Sequence, residues 1–476
     1  MMSQNKNSLT TTAGTGLALK NASKSLKITN KLLAEVNNFE KHWNWWLSLD
    51  NAWRNIFLSK VLNISINHLD WFDKKLMKDF VNQIVELDKL ELSFEYIEDF
   101  SALEYLTNLT ILDLSYMYIS DISTLANLIN IITIDLSENN INDITSLAKL
   151  TKLTELRLEN NRINNISALS SLTNLKKLNL SDNDLSDIFP LANLTGLEEL
   201  DLSGNNKISD ISALSNLTNL TKLNFLNSIK PKSLSDFKLY ANKLRDITAL
   251  RNLTKLTELR LNNHKISDIS ALENLTNLTT LYLGENQISD ISALANLTNL
   301  TVLWLAKNQI SDISALANLT NLNVIYLDEN SITNIAPVAN LTNLTVLCFG
   351  GRIFINVNDD TIDRYGGNYI SDISALENLT NLTTLYLGEN QITNISPLKK
   401  LINLKNLDLH RNQISDISAL ENLTNLTKLN LNSNKFTSIS ALTNLINLTE
   451  LRYRHNFIGL YEIRQFEQKI PECRFF

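Results

Sequence analysis

The sequence is poor in the residues that ordinarily turn a chain. Among 476 residues there are 11 Gly and 5 Pro, several-fold fewer than a globular α/β protein of this length spends on its loops. Something regular must replace ordinary turns. Cysteine is almost missing as well. Cys348 and Cys473 alone exclude a disulfide framework and a multi-cysteine zinc site, and they fit a reducing compartment. No run of about 20 apolar residues occurs, so no membrane-spanning helix is expected. The first residues, MMSQNKNSLTTTAGTGLALK, lack an apolar stretch behind a charged start, so no signal peptide is expected. A net charge of −7 argues against a dedicated nucleic-acid binder.

The motifs of catalysis are missing too. There is no GxxxxGK[ST] phosphate loop and no GxSxG elbow. The five histidines (His42, His68, His264, His410, His455) are scattered. His410 and His455 fall two repeats apart, too far to share a metal without other ligands. Asp113 and Asp135 occupy neighbouring repeats and could share a proton, but a solvated acidic strip is the simpler reading. No residues remain for a catalytic domain, and no enzyme activity, metal or cofactor is expected.

Leu and Ile are abundant, and at a fixed period. Leu106, Leu128, Leu150, Leu172 and Leu194 are each 22 residues apart, and the series runs on from Leu217 to Leu445 with three longer steps. The repeat from Leu297 places Leu297, Leu300, Leu303, Leu305, Ile310, Ile313 and Leu316 around Asn308, as LxxLxxLxLxxNxIxxIxxLxx. The Leu303-x-Leu305 alternation is a short strand with two inward side chains. The column that includes Asn139, Asn161, Asn183, Asn286, Asn308, Asn330, Asn390, Asn412 and Asn434 suits an inward ladder bonding the backbone of its own turn and of the next coil. Twenty-two residues leave little room for a full outer helix, so 3-10 turns are expected. One repeat cannot bury its own Leu face; stacked neighbours can.

These residues are those of the leucine-rich repeat. The form NQISDISALANLTNL resembles the repeats of internalins and of a eukaryotic phosphatase regulatory subunit, and the resemblance covers residues 84–458. It implies an α/β solenoid. The expected form is a leucine-rich-repeat horseshoe with a parallel β-sheet of about sixteen strands on the concave face and 3-10 turns on the convex face. A helical N-terminal cap and a helix-strand C-terminal cap close it.

Residues 1–40 are rich in Ser, Thr, Asn and Lys and read as disordered or loosely helical. LALKNASKSLKITNKLLAEV within them is a weak basic amphipathic stretch that would suit a membrane surface or a partner. Residues 41–83 form the cap, with Trp43, Trp45, Trp46, Trp53 and Trp71. One helix is expected from about Asp50, and a second with Leu69, Phe72, Leu76 and Phe80 on one face. An open solenoid end needs such a cover. At the other end, residues 459–476 put Leu460, Ile463, Phe466 and Ile470 on one helical face before a final strand PECRFF.

The positions between the strand leucines are not dictated by the fold, so they carry information about function. The central column runs Asp113, Asp135, Arg157, Asn179, Asp201, Asn224, Arg260, Tyr282, Trp304, Tyr326, Cys348, Tyr386, Asp408, Asn430 and Arg452. Val302, Val324 and Val346 stand beside its aromatic run. The candidate partner-binding residues are therefore Arg260, Tyr282, Val302, Trp304, Val324, Tyr326, Val346, Cys348 and Tyr386. Two plainer readings compete: exposed sheet positions favour aromatics, and residues 266–288 and 370–392 are identical copies. Two insertions, about 226–238 and 350–365, leave from the same point of the turn and bracket this ridge. They read as jaws of a site or as eroded repeats.

The expected function is non-enzymatic binding of a protein partner on the concave face, by a cytoplasmic, bacterial and monomeric chain. The partner would offer apolar side chains to the ridge and basic groups to acidic flanks. The alternatives are an exported internalin-like host-binding factor, secreted without a cleavable signal, and a regulatory subunit of an enzyme such as a phosphatase.

Overall fold

In a computed structural model the chain stacks into one parallel sheet. The structure describes residues 33–62, 73–93, 97, 99–226, 244–350, 353–355, 362–364, 366–470 and 473–475, with Lys27 and Lys31. Seventeen strands pair side by side, from Lys89–Glu91 to Arg474–Phe475. Sixteen belong to the repeats and the last to the C-terminal cap. Register is kept from coil to coil, as in Leu281↔Leu303↔Ile325↔Leu347. The outer side carries 3-10 turns such as Ser292–Leu294 and Ser314–Leu316.

The regular coils close on the same devices. Leu303 and Leu305 are fully buried, and the chain then leaves the strand through a left-handed residue. Glu285, Lys307, Glu329 and Glu389 all have φ between 52° and 58° at this position, directly before a ladder Asn. Gly204 holds the same position with φ 72°. An ordinary residue there costs about 1–2 kcal/mol, and the ladder offsets it. The Nδ2 of Asn286 donates to the carbonyls of Leu261, Leu283 and Gly284 at 2.8, 2.9 and 3.2 Å, and its Oδ1 accepts from the N–H of Ile266 at 3.1 Å. Thus the turn is held by Asn rather than by Gly and Pro, which accounts for their scarcity. The ladder reaches back to the preceding coil, not forward to the next as expected. Reading it forward mistook which coil offers free groups: the carbonyl of Leu261 and the N–H of Ile266 precede the asparagine.

Two further rows tie coils together. Asp312 Oδ1 accepts from the N–H of Ser314 at 2.8 Å, starting the 3-10 turn, and the same Asx turn recurs at Asp268 and Asp290. Such bonds favour the carboxylate and hold Asp268 and Asp290 below their ordinary range. On the ascending side Asn299 Nδ2 donates to the Thr276 carbonyl at 2.9 Å, a second asparagine row.

The N-terminal end is closed as expected of a cap. A helix runs through residues 33–48. Asn51–Asn55 follows, with Asp50 capping the N–H of Trp53 at 2.8 Å, and continues as a π-turn over Ile56–Val61. Trp43, Trp45, Trp46 and Trp53 are buried. Trp53 Nε1 donates to the Asp99 carbonyl at 2.7 Å, and Trp45 lies 5.6 Å from Tyr105, so the cap is pinned to the first coils. Trp71 lies outside the described residues, as do Leu69 and Phe72. The second helix, Lys74–Val85, buries Met77, Val81, Ile84 and Val85 and leaves Leu76 exposed. The expected face is off by one residue. The helix leads directly into the strand of Leu90, and that strand's inward side sets its phase. The C-terminal helix Leu460–Lys469 buries Phe466, with Ile470 after it. Leu460, expected on that face, is 76% exposed, because six residues before Phe466 place it about 120° away around the helix. Arg474–Phe475 then pairs with Glu450–Arg452.

The first insertion lies outside the described residues apart from Leu226. In the second, Ile353–Ile355 pairs antiparallel with Ile362–Arg364, a hairpin that the sequence did not suggest. Among the described residues no helix is long and apolar enough to cross a membrane.

Candidate functional site

Strand alternation presents two columns of side chains on the concave face. In register, Thr280, Val302, Val324, Val346 and Thr384 form one, and Tyr282, Trp304, Tyr326, Cys348 and Tyr386 the other. The expected ridge therefore exists. Trp304 lies between Tyr282 and Tyr326, with ring centroids 5.7 and 4.6 Å away. The Arg260 guanidinium sits 4.7 Å above the Tyr282 ring and pairs with Glu258 at 2.7 Å. The result is a continuous stack, Arg260–Tyr282–Trp304–Tyr326, with Val302, Val324 and Val346 half-buried beside it.

The stack is seated on small residues that the sequence reading passed over. A Cβ on Gly284 would come within 2.8 Å of Trp304 Cδ1 and Nε1. Ala306 beside it is buried. The indole thus leans over a position where no side chain fits. A glycine two residues after Tyr282, in a chain with so few, was the available signal.

Cys348 is not on the accessible surface. It is fully buried, with Sγ 3.3 Å from Asp328 Oδ1. Its short side chain lies in register between Tyr326 and Tyr386 and falls below the level of the rings. Of the nine candidates it alone offers nothing to a partner directly.

The flanks differ from the acidic ones expected. N-terminal to the ridge a trough of about 530 Å³ is lined by Glu155, Lys177, Glu199, Lys222 and Glu258 in one column and Arg157, Asn179, Asp201, Asn224 and Arg260 in the other. The first column alternates in sign at every coil. Glu199 lies 3.8 Å from Lys177 and 3.6 Å from Lys222. Asn224 Nδ2 donates to Asp201 Oδ2 at 2.8 Å. Four acids thus meet four bases, and the trough is neutral. Counting the central column alone hid this, because the lysines stand in its neighbour. A smaller trough on the other side combines Asp408 and Glu450 with Lys428 and Arg452. Asp113 and Asp135 each cap a backbone N–H, of Ser115 and Ser137, and Arg157 lies 3.5 Å from Asp135.

Two histidines are buried with opposite electrostatics. His264 takes a ladder position and its Nε2 contacts the Phe225 carbonyl at 2.6 Å; burial pushes its imidazole down to about 4. For His410 burial also opposes the charged form. However, the Asp408 carboxylate 2.7 Å away, with Glu389 at 3.6 Å, outweighs it and raises the value. Burial disfavours the charged form of Glu329 too, and so raises its carboxyl. Among the described residues no three His, Cys, Asp or Glu side chains converge as a metal site.

Known proteins place this geometry. The family model of leucine-rich repeats in two copies matches residues 173–216, 197–239, 276–318, 365–400 and 402–444. No curated protein matches the chain. An internalin of Listeria monocytogenes is similar at 33% identity and a TM-score of 0.60, over 80% of this chain and 94% of that one. A leucine-rich-repeat protein of Leptospira interrogans shares the fold at 23% identity and a TM-score of 0.60, over 83% and 97%. The functional domain of another Listeria internalin, which includes a cysteine ladder, shares it at 22% identity and 0.57, over 75% of each chain. The period, the asparagine ladder and the similarity to the first internalin agree: the chain belongs to the leucine-rich-repeat proteins of the internalin class.

Proposed function

We propose that the chain is a non-enzymatic module that binds a protein partner on its concave face. The observation carrying this reading is the aromatic and valine ridge set between neutral, charged troughs. An apolar centre rich in Tyr and Trp with a polar rim is the composition of protein interfaces. The stack of Arg260, Tyr282, Trp304 and Tyr326 is formed before any partner arrives, so little side-chain entropy is lost on binding. Pull-down with wild type and Trp304→Ala tests it. The variant should lose the partner while its Tm falls by no more than a few degrees, since one half-buried ring in a long solenoid costs about 1–2 kcal/mol. A partner held equally by both overturns the concave-face reading.

The place of action belongs to the same proposal. Two buried free thiols suit the reducing cytoplasm. The similarity to a Listeria internalin favours a second reading, an exported host-binding factor. Cell fractionation separates them: the protein in the culture supernatant would sink the cytoplasmic reading.

A further inference from the structure

Building on the concave-face reading, we infer that the partner element seated there is an amphipathic α-helix lying along the solenoid axis. It would have apolar residues at successive turns over the ridge, followed by charges that alternate in sign over the adjoining trough. Three observations lead to it.

The ridge strands have no free edge. Val302–Trp304 pairs on one side with Thr280–Tyr282 and on the other with Val324–Tyr326. A partner cannot add a strand to them, because β-augmentation needs unpaired backbone groups. The rings do not form slots either. With centroids 4.6 and 5.7 Å apart they touch, and a proline-rich segment needs gaps between aromatic walls. A helix laid on a smooth apolar stripe needs neither.

The spacing selects the same element. Coils repeat at about 4.8 Å. Side chains on one face of a helix recur about every 5.4 Å, so over the two steps between three successive coils they drift apart by only about 1.2 Å. On one face of an extended strand they recur about every 6.6 Å, and the drift is roughly 3.6 Å, close to a whole coil.

Charge complementarity extends the match. Glu199, Lys222 and Glu258 alternate in sign at each coil and run directly into Thr280, Val302 and Val324. A helix carrying opposite charges at i and i+4 alternates in the same rhythm. From Glu199 to Val324 is five coil steps, about 24 Å, or about 16 residues of helix.

Photo-crosslinking on the full chain tests this. The probe, p-benzoylphenylalanine, replaces Lys222, Thr280 or Val324, one per variant, and the cross-linked partner residue is read by mass spectrometry. These positions are exposed or half-buried, and successive ones are two coils apart. A helix predicts three sites on one partner segment, in order, about 6–7 residues apart. Moving the probes one coil, to Glu199, Glu258 and Val302, should shift each site by about three residues in one direction. Sites about three residues apart would mean an extended strand, and sites scattered over several segments a composite surface; either overturns the helix. Capture without any cross-link, or no capture, overturns the concave-face reading first.

Discussion

At the scale of single residues, the two buried histidines give the fold opposite responses to pH. His264 has a folded value near 4 against about 6.5 unfolded. Its contribution is present above the unfolded value and is lost as pH falls from about 6.5 toward 4, by on the order of 3 kcal/mol. His410 is raised by Asp408 and Glu389. Its contribution is complete below about 6.5 and is lost as pH rises through the folded value. Thermal melts across pH check both signs. His264→Asn should flatten the acid limb, and His410→Asn should remove the loss on the alkaline side. Profiles that coincide with wild type would refute the assignment. Neither environment was legible in the sequence. That His264 replaces a ladder Asn follows from counting, but its desolvation depends on how tightly the coils stack.

At the scale of elements, the ends decide whether the solenoid stays single. The strand Arg474–Phe475 pairs with Glu450–Arg452, and Phe475 packs 6.4 Å from Phe466. Removing residues 471–476 should bare the backbone edge of Glu450–Arg452 beside Leu451, an open template for a second copy. Light scattering after size exclusion should then show larger species than wild type gives; a variant with the mass of wild type would show that the helix alone protects the edge. Both caps were legible as caps, from clustered Trp at one end and a helix-strand signature at the other. Their faces were less so. Leu76 and Met77 are equally apolar neighbours on Lys74–Val85, and periodicity alone cannot say which of two adjacent stripes turns inward when the choice belongs to the strand that follows. Leu460 was misjudged because steps of three residues drift off a stripe of period 3.6.

At the scale of the whole molecule, the chain is nearly one-dimensional, each coil touching its neighbours. Deleting residues 297–318, one whole repeat of 22, should give a folded protein with one strand fewer. Tyr282 would then stand in register with Tyr326, and the melt would stay cooperative. Deleting 297–317 instead leaves one coil a residue longer, and it should fold as well, because the strands of Leu200 and Leu223 already pair in register across a 23-residue step. Circular dichroism melts of the two deletions check this; collapse of the second would mean that the turns cannot absorb an extra residue.

The sequence by itself determined the period, and with it the strands, the buried leucines, the 3-10 turns and the concave columns from Arg260 to Tyr386. A 22-residue spacing repeated through most of the chain leaves only one way to bury its leucines, by stacking. Tertiary structure alone decided what neighbouring coils do to one another. It sank Cys348 between two tyrosines, seated Trp304 over Gly284, aimed the asparagine ladder backward and paired the lysines of one column with the acids of the next into a neutral trough. Those outcomes depend on distances between residues 20 or more positions apart, and such distances exist only once the coils are stacked.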